Sequence, residues 1–404
     1  MVKPEILAPA GNLEKLKIAL LYGADAVYLG GHQFGLRSAA GSFTREEMET
    51  GVRFAHQQGK KVYVTVNIFA HNRDLPTLPS YLQILASLGV DGIIVSDPGV
   101  FQIARRTVPE LPVHISTQAN VTNLAAVRFW EELGAARVIL GRELSLEEIK
   151  EIRLSSDLEL ESFVHGAMCL AYSGRCFLSS YLTGRSANRG YCTHPCRWQY
   201  YLLEEKRPGE YFPVLEDNRG TAIMSSRDLC LIRHIPELID AGLTSWKIEG
   251  RMRSIHYVAT VTKTYRQALD LYWEDPENYS FQESWWGELE KTSDRGFTSG
   301  FFFGQPEMET ERREEQQWEF AGVILSYDRQ RQKALVEQRN RFSQKDMLEI
   351  FGPNTPGKVF ILDYLENEQG ERISSAPHPQ QKVWIHVPME VEPFSLIRRL
   401  KSIE

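Results

Sequence analysis

Four of the five cysteines in this chain, Cys169, Cys176, Cys192 and Cys196, fall within 28 residues in the spacing C-x(6)-C-x(15)-C-x(3)-C, and only Cys230 stands apart. In a reducing compartment, clustered thiols in so cysteine-poor a chain read as metal ligands before disulfides. Four thiolates can close a tetrahedron around zinc or hold the corners of an iron–sulfur cluster. Structural zinc sites favour tight cysteine pairs, and the first spacing here is wider. Wide spacing suits ligands that each meet a different iron, yet spacing alone leaves both metals open. No CxxxCxxC run is present, so radical use of S-adenosylmethionine is not indicated. Cys230, in SSRDLCLI, is expected on an apolar helical face in the core.

The segment carrying the cysteines is chemically lopsided. From Ser162 to Leu203 it has no Asp or Glu, yet it holds Arg175, Arg185, Arg189 and Arg197. Interleaved are Tyr172, Phe177, Tyr181, Tyr191, Trp198, Tyr200 and Tyr201. Guanidinium groups grip phosphates and carboxylates bidentately, and aromatic faces stack on bases. The arginines therefore offset the charge of clustered thiolates, hold an RNA backbone or a dicarboxylate, or do both. The chain as a whole is acidic, with net charge −7, which argues against bulk coating of nucleic acid and makes this a local site. His165 precedes the first cysteine and His194 lies between the last two. Each is a candidate acid–base group or extra ligand, with a hydrogen-bonded structural role as the alternative. Hydrolytic signatures are missing: there is no HExxH, GxSxG or GxxxxGK[ST].

Something must position these groups. Eight β-rich runs precede residue 251: 4–11, 25–31, 61–69, 91–97, 113–118, 137–143, 158–166 and 245–250. Most are near-continuous Val, Ile and Leu, the mark of parallel strands buried on both faces. Helical stretches with polar starts, such as NLEKLKIALLYG, TREEMETGVRFAHQQG and SLEEIKEIRLSS, alternate with them. The expected fold is α/β, a TIM-like (β/α)8 barrel, because an open doubly wound sheet would show a glycine-rich turn after its first strand. Barrel chemistry gathers at the C-terminal strand ends. Those ends carry Asn67, Asp97, Gln118, Arg142, Glu143, His165, Glu249 and Arg251, a ring of polar groups around a prospective pocket. Polar residues also mark where strands meet solvent, so the ring is read as a whole.

The regular spacing breaks between the seventh and eighth runs, where all five cysteines lie. The expected organisation is a catalytic barrel over 1–275, with a Cys-rich insertion at 167–243 between strands 7 and 8. A connecting segment at 276–317 follows, including the charged METERREEQQ. From 318 to 404 the runs FAGVILSY, KALVEQR, DMLEIFG, KVFILDY and KVWIHVP suggest a small antiparallel β-barrel. The 404 residues, 42% hydrophobic and 25% charged, exclude disorder as the main state. No apolar run approaches the length of a membrane span and MVKPEILAPAG offers no signal-peptide core, so a cytoplasmic protein with no membrane partner is expected.

The stretch ESFVHGAMCLAYSGRCFLSSYLTGRSANRGYCTHPCRW, with LAPAG, GADAVYLGG, SSRDLCLI and SWKIEGRMRS, resembles peptidase family U32 over essentially the whole chain. Length and the short C-terminal domain resemble the family's prephenate-dependent tRNA 5-hydroxyuridine hydroxylases. Its branch acting on ubiquinone precursors is shorter, and its branch acting on ribosomal-RNA cytidine is longer. The resemblance implies a 4Fe-4S cluster on Cys169, Cys176, Cys192 and Cys196. It also implies oxygen-independent hydroxylation of the wobble uridine of tRNA, with prephenate as cosubstrate. A second family member or a homo-oligomer is the implied protein partner. In that scheme Glu143, His165 and Glu249 are candidates for proton transfer, and the C-terminal β-domain at 318–404 is a second RNA contact. Arg175, Arg185, Arg189, Arg197 and Arg251 are candidates for binding RNA or prephenate. The alternatives are a collagenase-like peptidase, or a hydroxylase of ribosomal-RNA cytidine or a ubiquinone precursor.

Overall fold

Apolar runs without polar alternation must be covered on both faces and paired on both edges. The computed structural model describes residues 2–35, 42–169, 171–189, 191–193, 195, 215–217, 220–222, 227–293, 296–304 and 317–401. In it the first seven runs become β1 (Glu5–Pro9), β2 (Ala26–Gly30), β3 (Lys61–Val66), β4 (Gly92–Val95), β5 (Val113–Ile115), β6 (Arg137–Ile139) and β7 (Glu159–Ala167). The insertion contributes β8 (Leu215–Asp217), β9 (Gly220–Ala222) and β10 (Asp228–Cys230), and the eighth run is β11 (Ser245–Ile248). Each barrel strand pairs in parallel with the next, and β11 pairs with both β1 and β7, which closes an eight-stranded barrel.

Helices α1 (Leu13–Leu21), α2 (Arg45–His56), α3 (Leu78–Ser87), α4 (Pro98–Thr107), α5 (Leu124–Glu132) and α6 (Leu146–Ser155) lie between successive strands. Their starts are chemically marked. Thr44 with Glu47 and Ser145 with Glu148 form capping boxes, each pair satisfying two otherwise orphaned N–H groups. Asp97, expected in the rim, caps α4 instead: its Oδ1 accepts from the N–H groups of Gly99 and Val100 at 2.8 and 3.0 Å. The insertion contains α7 (Leu178–Thr183). The ordinary barrel helix α8 (Ile235–Asp240) also falls inside 167–243, just before β11. Cys230 is buried as expected but lies on a strand, not a helix: β10 runs antiparallel to β7, with Cys230 opposite His165.

After β11 come α9 (Ile255–Glu274), α10 (Glu283–Glu290) and β12 (Phe297–Thr298). Residues 276–317, read as a connector, thus carry structure that belongs to the barrel, since β12 pairs with β10 and the buried Trp285 and Leu289 of α10 join the main core. The charged stretch METERREEQQ lies outside the described residues, apart from its last position. Among the described residues no helix is long and apolar enough to cross a membrane.

The C-terminal domain is an antiparallel half-barrel. Its strands are β13 (Trp318–Asp328), β14 (Lys333–Gln338), β15 (Phe342–Ser343), β16 (Met347–Phe351), β17 (Lys358–Ile361), β18 (Leu365–Asn367), β19 (Ser375–Ala376), β20 (Lys382–His386) and β21 (Leu396–Leu400). Seven form one sheet in the order β17-β16-β21-β13-β14-β20-β18, and β15 pairs with β19. β21, missed in the sequence, lies between β16 and β13, and its Arg398 is fully buried at the seam with the barrel. Its guanidinium donates to Glu288 of α10 at 2.7 Å and to Glu349 at 3.2 Å. Lys263 of α9 donates to the carbonyls of Gly352 and Thr355, and Tyr22 donates to those of Phe351 and Phe394. Glu288 and Glu349 both keep Lys291, at 2.6 and 2.9 Å, so Arg398→Ala breaks buried charged contacts without stranding either carboxylate and is expected to cost about 1–3 kcal/mol of stability. Denaturant unfolding checks this, and a loss within about 0.5 kcal/mol, as at an ordinary surface site, would contradict it.

Candidate functional site

A cavity opens at the C-terminal end of the barrel, roofed by the start of the insertion. Its wall is built from strand ends, among them Thr65, Asn67, Ser116, Gln118, Arg142, Phe163, Lys247, Glu249 and Arg251. Its roof includes Cys169, Tyr172, Cys176, Leu178 and Cys192. Three of the four clustered cysteines therefore face one space. Cys196 lies outside the described residues, as do Arg197 and His194. Among the described residues no three Cys, His, Asp or Glu side chains gather closely enough to hold a single ion. Three thiols lining one cavity are a donor set that either an iron–sulfur cluster or zinc can use.

The roof is fastened at several points. Ser173 donates through its N–H to Glu143 Oε1 at 2.8 Å, and its hydroxyl reaches the same oxygen at 3.3 Å. Gly174, at φ +75°, presses onto the backbone after β5: a Cβ there would lie 2.1 Å from the Gln118 carbonyl oxygen. Arg189 donates to the Phe69 carbonyl at 2.7 Å and to both Asp74 oxygens at 3.3 and 3.0 Å. Within the roof, Thr193 donates its N–H to Ser179 Oγ at 3.2 Å, tying the residue beside Cys192 to α7.

These contacts redistribute the predicted roles. Glu143 holds Ser173 and so positions the roof. Arg189 clasps the insertion to the loop after β3, whereas Arg175 and Arg185 are exposed and face outward. Arg189→Ala is expected to speed protease cleavage near residue 189, while Arg185→Ala does not. Equal cleavage in the two variants would remove the clasp.

His165 does not reach the cavity. It is 1% exposed, packed among the rings of Tyr257, Tyr265 and Phe297. Burial, helped by the charge of Arg253, pushes its pKa down to about 3, so it is neutral at working pH. The cause of the misplacement is a β-bulge. Lys247 opposes Phe163 but Ile248 opposes His165, so β7 carries one extra residue there. Simple alternation would put His165 on the inner face with Phe163, and the bulge turns it out.

Lys247 escaped the sequence reading. Its ammonium is 4.4 Å from the Tyr28 ring centroid and 2.6 Å from Glu161 Oε1 in the barrel floor. Burial lowers its pKa, and Glu161 opposes that shift only in part. Glu161 also accepts from Arg137 at 3.0 Å, and Arg137 donates to Glu5 at 2.7 Å, so the floor charges are paired. A signal was present: Lys247 shares the parity of Glu249, the residue just past β11 that the sequence already placed at the rim. Arg142 stacks on Phe163, 3.9 Å from the ring centroid, and donates to Glu249 at 3.4 Å. Arg251 donates to Thr65 Oγ1 at 3.1 Å and passes over Gly30, where a Cβ would lie 2.4 Å from its Nη1. Asn67 donates to Ser116 Oγ at 3.3 Å across the wall.

A closed βα barrel with a cysteine-lined mouth and a docked C-terminal half-barrel defines the class, and the chain belongs to peptidase family U32. The family's profile matches residues 11–312, and that of the family's C-terminal domain matches residues 316–398. The tRNA hydroxylation protein P1 of Bacillus subtilis is 46% identical over 403 residues, spanning 99% of this chain and 95% of that one. The tRNA hydroxylation protein P of Escherichia coli is 39% identical over 438 residues, spanning 97% and 95%. An uncharacterized protease of Methanocaldococcus jannaschii is 46% identical over 308 residues, spanning 75% and 74%.

Proposed function

We propose that this chain is a tRNA hydroxylase that converts the wobble uridine to 5-hydroxyuridine, with a 4Fe-4S cluster on Cys169, Cys176, Cys192 and Cys196 and prephenate as cosubstrate. The observation that carries the reading is the convergence of three motif cysteines on the barrel-mouth cavity. Similarity to tRNA hydroxylation proteins over nearly the whole chain supports it. The cluster would supply the redox chemistry. The chain's own residues bind and orient. An anticodon base lies in an unpaired loop and costs little to extrude. Tyr172, Phe177, Tyr181 and Tyr191 are 53–77% exposed around the roof, free to stack on neighbouring bases. Arg175 and Arg185 lie among them, within reach of phosphates. Glu249 is the one carboxylate among the described cavity-lining residues and the group best placed to take a proton from the bound base.

No histidine lines this cavity among the described residues, so the cysteine–histidine pairing of a thiol peptidase is not seen there. The test has two parts. Iron, sulfide and zinc are measured on anaerobically purified protein, and tRNA nucleosides from a deletion strain are analysed by mass spectrometry with and without the restored gene. Iron and sulfide in equal amounts, with 5-hydroxyuridine restored, is the expected result. Zinc without iron, or no change in tRNA, would overturn the proposal.

A further inference from the structure

We infer that Lys247 grips the O2 carbonyl of the extruded pyrimidine at the bottom of the cavity and so turns C5 of the ring toward the cysteines above. This deepens the reading above and rests on it insofar as the substrate is a base drawn out of an RNA loop. Lys247 lines the cavity two residues before Glu249, which sets it about 6–7 Å deeper along the strand. Cys169, Cys176 and Cys192 lie at the other end, in the roof. An ammonium has three N–H donors and no acceptor. One donates to Glu161 Oε1 at 2.6 Å, and the Tyr28 ring centroid lies 4.4 Å from the nitrogen. Arg137 in turn holds Glu161 at 3.0 Å, which fixes the anchor of the ammonium. A donor is left for a neutral acceptor in the cavity. With the roof above, a base enters from the side and leaves its sugar at the rim. N1 then points sideways, and the two long edges of the ring face up and down. The C5–C6 edge offers only C–H groups, which cannot accept from an ammonium. The N3–C2 edge offers O2, an acceptor in uracil and cytosine alike. A donor-only group at the bottom therefore selects O2, and C5, para to C2, faces the roof. Glu249, one level higher than Lys247, then lies on the side of C5.

The competing role for Lys247 is to hold Glu161 and nothing else, and a double-mutant cycle between protein and RNA separates the two. Anticodon stem-loops carrying uridine, 2-thiouridine, 4-thiouridine or an abasic site at the wobble position are titrated into the anaerobically purified full chain. Sulfur is a weak acceptor, so 2-thiouridine weakens the contact at position 2 and 4-thiouridine serves as its control. The abasic stem-loop is expected to bind more weakly than uridine. Lys247→Met is expected to weaken uridine binding by about tenfold or more, the loss of one hydrogen bond from a charged donor. 2-Thiouridine should weaken binding to the unaltered protein by about three- to tenfold and cost Lys247→Met nothing further, while 4-thiouridine costs both proteins the same. Arg137 still holds Glu161 in that variant, so the carboxylate is not stranded. If the variant nonetheless fails to fold, the sulfur series on the unaltered protein decides. A cost of 2-thiouridine that is absent, or equal in the two proteins, overturns the assignment and leaves Lys247 as a partner of Glu161. So does a larger effect from 4-thiouridine than from 2-thiouridine, which would put position 4 at the bottom, or abasic RNA that binds as tightly as uridine. The proposed function fails on a different readout, tRNA left unmodified after the gene is restored, and these affinities do not enter it.

Discussion

Exchanging Cys192 for alanine is expected to remove the visible chromophore and reduce 5-hydroxyuridine in tRNA to background. Cys230→Ala leaves both in place and costs only stability. Cys192 faces the cavity beside Cys169 and Cys176, held by the bond from Thr193 to Ser179. Cys230 is buried at the β7–β10 pairing, and burial raises its thiol pKa to about 12, far from the thiolate a metal needs. The effect of the first exchange is large because a cluster corner needs a thiolate, and the other cysteines among the described lining residues, Cys169 and Cys176, are already assigned to corners of their own. The checks are iron per chain, the absorption spectrum and nucleoside analysis, run on both variants. Modification retained without iron in Cys192→Ala would separate catalysis from the cysteines altogether.

Glu249→Gln is expected to lower turnover by about 10²- to 10⁴-fold, the usual worth of a positioned proton-transfer group. Iron content and stem-loop affinity should be unchanged. The backbone of Glu249 is fixed on both sides. Its N–H donates to the His165 carbonyl at 2.9 Å, and its own carbonyl accepts from the Tyr257 hydroxyl at 2.7 Å. Arg142 steadies the carboxylate from the side. The other two acid–base candidates give the contrast. Glu143→Gln acts on Ser173 and the roof, so it should lower iron and activity together, while His165→Asn should lower stability and leave the turnover of folded protein intact. Unchanged turnover in Glu249→Gln would leave Glu249 as a positioning partner of Arg142.

Eight barrel strands were legible in the sequence because each is an apolar run, and a strand covered on both faces needs no distant partner to reveal its type. The cysteine cluster and the break in spacing that holds it were legible for the same reason: composition and spacing are local. Family resemblance followed from those local segments. The residues that only tertiary structure could assign are those whose role depends on a partner far along the chain. Glu143 meets Ser173, Arg189 meets Asp74, and Lys247 meets Glu161. A single extra residue in β7 turned His165 from the cavity into the core, because side chains alternate with a period of two and one insertion inverts the face. Strand β21 was hidden because a buried arginine breaks the apolar pattern. That arginine is tolerable only because Glu288 and Glu349, from two other elements, close around it.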